Sequence, residues 1–294
     1  MISINTNYGG LFASKAASQS QRMLDTAMER LSTGKRINYA TDDAAGQAIA
    51  TRLQAEIQGI AMATRNVADA QSLMDTADGA LAETHNILLR MRELAVQAST
   101  GTLNSDDNAA LDAEFQQLEA EIDRIATSSK WAGSDLFTGT ARVFHIGTKA
   151  SDTLSHTIAE MAAHDLGVDS AGPNNKINLD SNHADFATDN ADNIDADLTD
   201  ATNAAAMITV LDDAIKTVST ERGNLGAISN RLSSTIANLD QVGVNLSASK
   251  GRIADADFAA ETGNLAKNQI LQQAATAMLA QANASKGNIL TLIS

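Results

Sequence analysis

Two runs of apolar residues spaced by seven constrain this chain more than any other feature of its sequence. In the first, Leu53, Ile60, Val67, Met74, Leu81, Leu88 and Ala95 recur at that interval, and Ala63, Ala70, Ala77, Met91 and Ala98 fill the second core position. The second runs through Leu211, Val218, Leu225, Leu232, Leu239 and Leu246, with Arg222 and Ser229 at its other core position. A period of seven held this long keeps one stripe against a neighbouring helix and imposes a left-handed supercoil. The pattern predicts two long helices packed together, the first of about 55 residues and on the order of 80 Å in length.

The stretches around these helices supply their boundaries. Asp42 and Asp43 can cap the start of the first long helix, and Ser99-Thr100-Gly101 ends it. A further helix opens at Ser105-Asp106-Asp107 with the seam Leu111, Phe115, Leu118, Ile122 and Ile125, and the short connection predicts that it folds back antiparallel. The segments 141–146 and 152–158, joined around Gly147, predict a β-hairpin. From Gly172 to Asp200 the chain is rich in Asp and Asn with little periodicity, which predicts a solvated acidic loop over 163–203.

The two ends share a different character. Leu271, Ala275, Met278, Ala282, Ser285, Ile289 and Leu292 alternate steps of four and three, and between Leu265 and Ser294 the only charges are Lys267 and Lys286. Ala17, Leu24, Ala27 and Leu31 follow similar spacing near the start, before a helix stop at Gly34. Both ends read as helices that pair with each other and dock elsewhere through Leu24, Leu31, Leu271, Met278, Ile289 and Leu292. Lys35 to Thr41 and Ser249 to Asp257 read as turn-like links between these helices and the long ones.

Charge divides the chain in the same way. Residues 1–41 hold 5 basic and 2 acidic side chains and residues 248–294 hold 4 and 3, which leaves 12 basic and 31 acidic ones in 42–247. So acidic a middle disfavours nucleic-acid binding and suits a solvated outer surface, while the near-neutral ends suit an interior.

Nothing in the sequence points to catalysis or a cofactor. There is no cysteine, and the five histidines, His85, His145, His156, His164 and His183, form no metal-ligand spacing. Asp189, Asp192, Asp195, Asp197 and Asp200 lack the glycine and terminal glutamate of a calcium loop. No phosphate-binding loop or nucleophile elbow occurs. No cleavable signal or membrane-spanning run is recognisable, so export is expected to remove nothing.

Several motifs, in order along the chain, resemble bacterial flagellin. They are Glu29-Arg-Leu-Ser-Thr-Gly-Lys-Arg-Ile-Asn38, Asp42-Asp-Ala-Ala-Gly-Gln-Ala-Ile49, Arg90-Met-Arg-Glu-Leu-Ala-Val-Gln97, Arg252-Ile-Ala-Asp-Ala-Asp-Phe258, Gln269-Ile-Leu-Gln-Gln273 and Leu279-Ala-Gln-Ala-Asn283. The resemblance implies a subunit that polymerises into the flagellar filament, with a flagellin-like hook–filament junction protein as the alternative. It implies paired terminal helices (1–41 and 248–294) in the filament core, a surrounding helical rod domain (42–162 and 204–247) and a short outward loop or cap (163–203).

The partners that it implies are copies of the chain itself, an export chaperone, the type III export apparatus, and filament cap and hook-junction proteins. It also implies recognition by a host innate immune receptor at Arg90, Leu94 and Glu114; Tyr39 and Thr41 depart from the family's plant-recognised stretch. The expected fold is mainly α, an elongated antiparallel helical bundle or coiled coil with a small β-hairpin region, and the expected protein is no enzyme.

Overall fold

The computed structural model describes residues 6–163, 165–168, 198 and 201–293, with the backbone alone at 201, 202 and 286–293. Among the described residues there are five helices: α1 (Tyr8–Thr33), α2 (Ala44–Ala98), α3 (Ser105–Ser128), α4 (Ala201–Ala254) and α5 (Phe258–Ile293). Among the described residues between α3 and α4 lie two short hairpins, β1 (Lys130–Trp131) with β2 (Ser134–Asp135) and β3 (Ala141–His145) with β4 (Thr153–Thr157). The fold is therefore mainly α with a small β region. Most of the expected acidic loop, including the five aspartates, His164 and His183, lies outside the described residues. Two compact units divide the chain, one of Met1–Gln58 with Val242–Ser294 and one of Gly59–Gln241.

In the unit of Gly59–Gln241, the seven-residue stripes of α2 and α4 meet. Ile60, Val67, Met74, Leu81 and Leu88 are buried on α2, as are Leu211, Val218, Leu225 and Leu232 on α4. Leu239 is half-buried at the edge of the same core. The two helices run antiparallel, since rising numbers on one meet falling numbers on the other. Gln71 Nε2 donates to Ser229 Oγ at 3.4 Å, Arg222 Nε to Asp78 Oδ1 at 2.7 Å and Arg92 Nε to Asp212 Oδ1 at 2.6 Å. Arg222 and Ser229 thus sit at the rim of the seam with polar partners instead of within it.

α3 begins with a reciprocal capping box, in which Asn104 accepts from the Asp107 amide and Asp107 accepts from the Asn104 amide. It adds Phe115 and Ile122 to the core. The β3–β4 hairpin adds Leu154, and Ile158 follows it into the same cluster. α3 also fastens both ends of the segment that leads toward α4. Asp123 Oδ1 accepts from the Ala163 amide at 2.8 Å, and Asp112 Oδ1 from the Leu198 amide at 3.0 Å.

In the other unit, the parts of α2 and α4 present there carry half-buried Leu53 and Leu246, and Lys250 Nζ donates to Gln54 Oε1 at 2.5 Å. The first link spans the interval from Thr33 to Ala44, slightly longer than expected, and the second is shorter. α4 continues to Ala254, so Ser249 to Ala254 is helix and only Asp255 to Asp257 remain as a break. Lys35 and Asp255 form an isolated antiparallel bridge, with the Arg36 amide donating to Ala254 O at 2.7 Å and the Ala256 amide to Gly34 O at 3.0 Å. Asp43 caps α2 through the Gly46 amide, and Asp257 caps α5 through the amides of Ala259 and Ala260.

Candidate functional site

α1 and α5 pack along their lengths, and the choice of residues between them is unusual. Gly10, Ala13, Ser20 and Ala27 are buried on α1, and Glu261, Asn268 and Ala275 on α5. Small residues bring the two backbones close together. α1 starts at the Asn7 cap, whose side-chain oxygen accepts from the Gly10 amide. A Cβ at Gly10 would come within 2.7 Å of Asn7 Nδ2, so a larger residue there would displace the capping side chain. The helix stops at Gly34 in the left-handed conformation, φ 70°, with its amide bonded to Arg30 O.

Polar contacts cross the pair at intervals. Asn7 Nδ2 donates to Ala282 O at 3.4 Å and to Asn283 Oδ1 at 3.3 Å. Gln272 Nε2 donates to Gln21 Oε1. Arg30 Nη1 lies 3.9 Å from Glu261 Oε2.

The large apolar side chains point the other way. Tyr8, Leu11, Phe12, Met23 and Met28 on α1 and Ile270, Leu271 and Met278 on α5 are all exposed, Phe12 at 77% and Met278 at 65%. Leu24 and Leu31 are half-buried in the stripe of α1 that carries Ala13, Ser20 and Ala27. The side chains of Ile289 and Leu292 lie outside the described residues. Reasoning from spacing missed Tyr8, Leu11 and Phe12, whose signal is an aromatic and aliphatic cluster directly after a capping asparagine. It also missed Arg30 and Glu261, which no local pattern connects.

A helix pair that fully buries glycine, alanine and short polar residues while Phe12, Leu11, Leu271 and three methionines stay exposed leaves much of its most valuable surface uncovered. Each outward large residue gains roughly 1.5–3 kcal/mol when fully buried, so the geometry favours further docking on these faces. On α1, Met28 and Met23 flank the seam on opposite sides, and Leu11 lies opposite it. Surfaces that diverge this way accommodate several neighbours at once.

The three residues expected at a receptor surface separate. Arg90 is half-exposed and donates to Glu114 Oε1 at 2.9 and 3.0 Å and to Glu93 Oε2 at 3.0 Å. Those carboxylates, Glu114 foremost, raise the guanidinium above its usual range. Leu94 is 1% exposed and belongs to the core. Its placement on a surface is corrected, because this end of α2 packs against both α3 and α4 and its apolar face is wider than one seam.

The family described as Bacterial flagellin N-terminal helical region matches residues 4–142, and Bacterial flagellin C-terminal helical region matches residues 208–293. The chain is 40% identical to the flagellin of Bacillus subtilis (strain 168) over 99% of each chain. To the flagellin of Halalkalibacterium halodurans it is 42% identical, over 91% of this chain and 90% of that one. A solved structure of a putative flagellar hook-associated protein from Vibrio parahaemolyticus shares the fold, with a TM-score of 0.56 at 18% identity over 73% of this chain and 100% of that one.

Proposed function

This chain belongs to the bacterial flagellin family, a structural subunit of the extracellular flagellar filament, and on that premise we propose that the outward apolar faces of α1 and α5 are the surfaces through which its copies polymerise. The observation that carries this is the exposure of Tyr8, Leu11, Phe12, Met23 and Met28 on α1 and of Ile270, Leu271 and Met278 on α5, while the fully buried residues of the pair are small or short and polar, apart from Glu261. The free subunit holds α1 and α5 weakly, and burial against neighbouring copies completes their order. Contacts on diverging faces are head-to-tail and do not close, so the product is an open helical polymer.

In that polymer residues 1–41 and 248–294 form the core, 42–162 with 204–247 surround it and 163–203 face outward. The same apolar faces need cover before assembly. An export chaperone on the C-terminal helix supplies it until the chain passes through the type III apparatus, to meet cap and hook-junction proteins at the growing end. For a host receptor, the Arg90–Glu114 pair is the accessible part of the expected surface.

Leu271→Asp and Met278→Asp test the assembly surface. Both side chains are exposed in the subunit, so thermal unfolding of the monomer is expected to stay within about 0.5 kcal/mol of native, while electron microscopy of seeded protein shows no filaments. Filaments of normal length from either variant refute the assignment.

A further inference from the structure

The small residues of the seam between α1 and α5 are poor rulers. Gly10, Ala13, Ser20 and Ala27 are buried on α1 and Ala275 on α5, and small side chains of similar size interchange at little cost. A slide by one helical turn, about 5.4 Å, is therefore opposed mainly by the half-buried leucines and the polar contacts of the pair. Such a slide changes which outward residues stand side by side.

Polar contacts near the links add to those at Asn7 and Gln21 in fixing how the pair lines up. The Arg36 guanidinium donates to Ile253 O at 2.8 Å (Nη2) and 3.3 Å (Nε), which covers a free carbonyl at the end of α4. The same group lies 3.6 Å from Asp43, the cap of α2. With the two backbone bonds of the Gly34–Arg36 and Ala254–Ala256 strands, this clasp holds the ends of α1, α2 and α4 and the start of α5 in one place. About one turn further in, Arg30 meets Glu261, with side chains 28% and 12% exposed.

We propose that the Arg36 clasp and the Arg30–Glu261 pair together set the register of the terminal helices, and that this register is the specificity determinant of assembly. The second clause rests on the filament reading above. A slide in one direction sets Arg30 against Leu265 and leaves Glu261 buried without its cation. A slide in the other sets Arg30 against Asp257 but pulls the Ala256 amide away from Gly34 O. Both slides break a partly buried polar contact, in the way that single polar residues fix register in coiled coils.

Because the chain has no cysteine, a single engineered pair reports the register directly. Gln21→Cys with Gln272→Cys, whose native side chains touch, is expected to cross-link in filaments of the otherwise native chain, and Gln21→Cys with Thr276→Cys is not. Adding Arg36→Ala and Glu261→Gln together is expected to divide cross-linking between the two pairs and to raise the critical concentration for polymerisation about tenfold. Arg36→Lys, which keeps one donor, recovers part of the loss.

Cross-linking that stays confined to 21–272 at a native critical concentration overturns the proposal. Circular dichroism of the combined variant checks that the long helices persist; if they do not, Glu261→Gln alone is the milder variant, judged by the same division of cross-links. If the native chain forms no filaments, the filament reading fails, and cross-linking of the monomer still decides whether the clasp and the ion pair set the register.

Discussion

Leu94 shows how one position can look like surface and be core. It lies between Met91 and Ala98, both at the second core position, so the three-and-four spacing already pointed inward. Truncating this fully buried side chain, Leu94→Ala, is expected to cost about 2–5 kcal/mol. Val96→Ala, at a residue 44% exposed two positions on, is expected to cost under about 1 kcal/mol. Chemical unfolding of the monomer measures both, and comparable losses would mean that Leu94 is not in the core.

Asp42 is a titratable counterpart at the same scale. Its carboxylate accepts from the Tyr39 and Asn38 amides, each at 3.0 Å, and these bonds, Tyr39's first, depress its pKa. A depressed carboxylate stabilises the fold above its unfolded value, about 3.9, and that contribution disappears as pH falls through the lower folded value. Protection of the Asn38 and Tyr39 amides, relative to their intrinsic exchange rates, is therefore expected to hold at pH 5 and to fall only below about pH 4. Protection that does not change with pH would remove Asp42 from this role.

At the level of elements, the sequence was legible wherever a period ran long. The limits of α2, the start of α3, the stop at Gly34 and the β3–β4 hairpin were expected from local pattern and lie where expected. The end of α4 was not. A link was expected from Ser249, whereas the helix runs on to Ala254, where its last carbonyls find Arg36, more than two hundred positions away. No local window contains that partner. The β1–β2 hairpin escaped for the opposite reason, since two-residue strands are too short to alternate.

Its turn makes a separate prediction. Ala132 takes φ 48° and Gly133 φ 84°, a conformation that costs an alanine more than a glycine. Ala132→Gly is expected to stabilise the subunit by roughly 0.5–1 kcal/mol, read as a rise in Tm. A fall would show that the strain lies elsewhere in the loop.

Across the whole molecule, the opposition between apolar ends and an acidic middle decides how assembly depends on conditions. Residues 42–247 carry 31 acidic against 12 basic side chains. Six of the basic ones, Arg90, Arg92, Arg124, Lys130, Arg142 and Arg222, already serve partners within the subunit. In the proposed polymer, copies joined through their ends also bring the excess negative charge of their middles near one another.

Burial of the ends changes little with modest salt, whereas repulsion between exposed carboxylates is screened beyond about 10 Å at 0.1 M ionic strength and about 30 Å at 0.01 M. The critical concentration is expected to fall as sodium chloride rises from about 0.01 to 0.15 M and to level off near 1 M, where screening reaches about 3 Å. Met278→Asp is expected to stay unassembled across that range, because salt lowers the barrier between middles without supplying the missing contact at the ends. Sedimentation of polymer at each salt concentration separates the two contributions, and a critical concentration that rises with salt would mean that attraction between charges, not burial of the ends, holds the copies together.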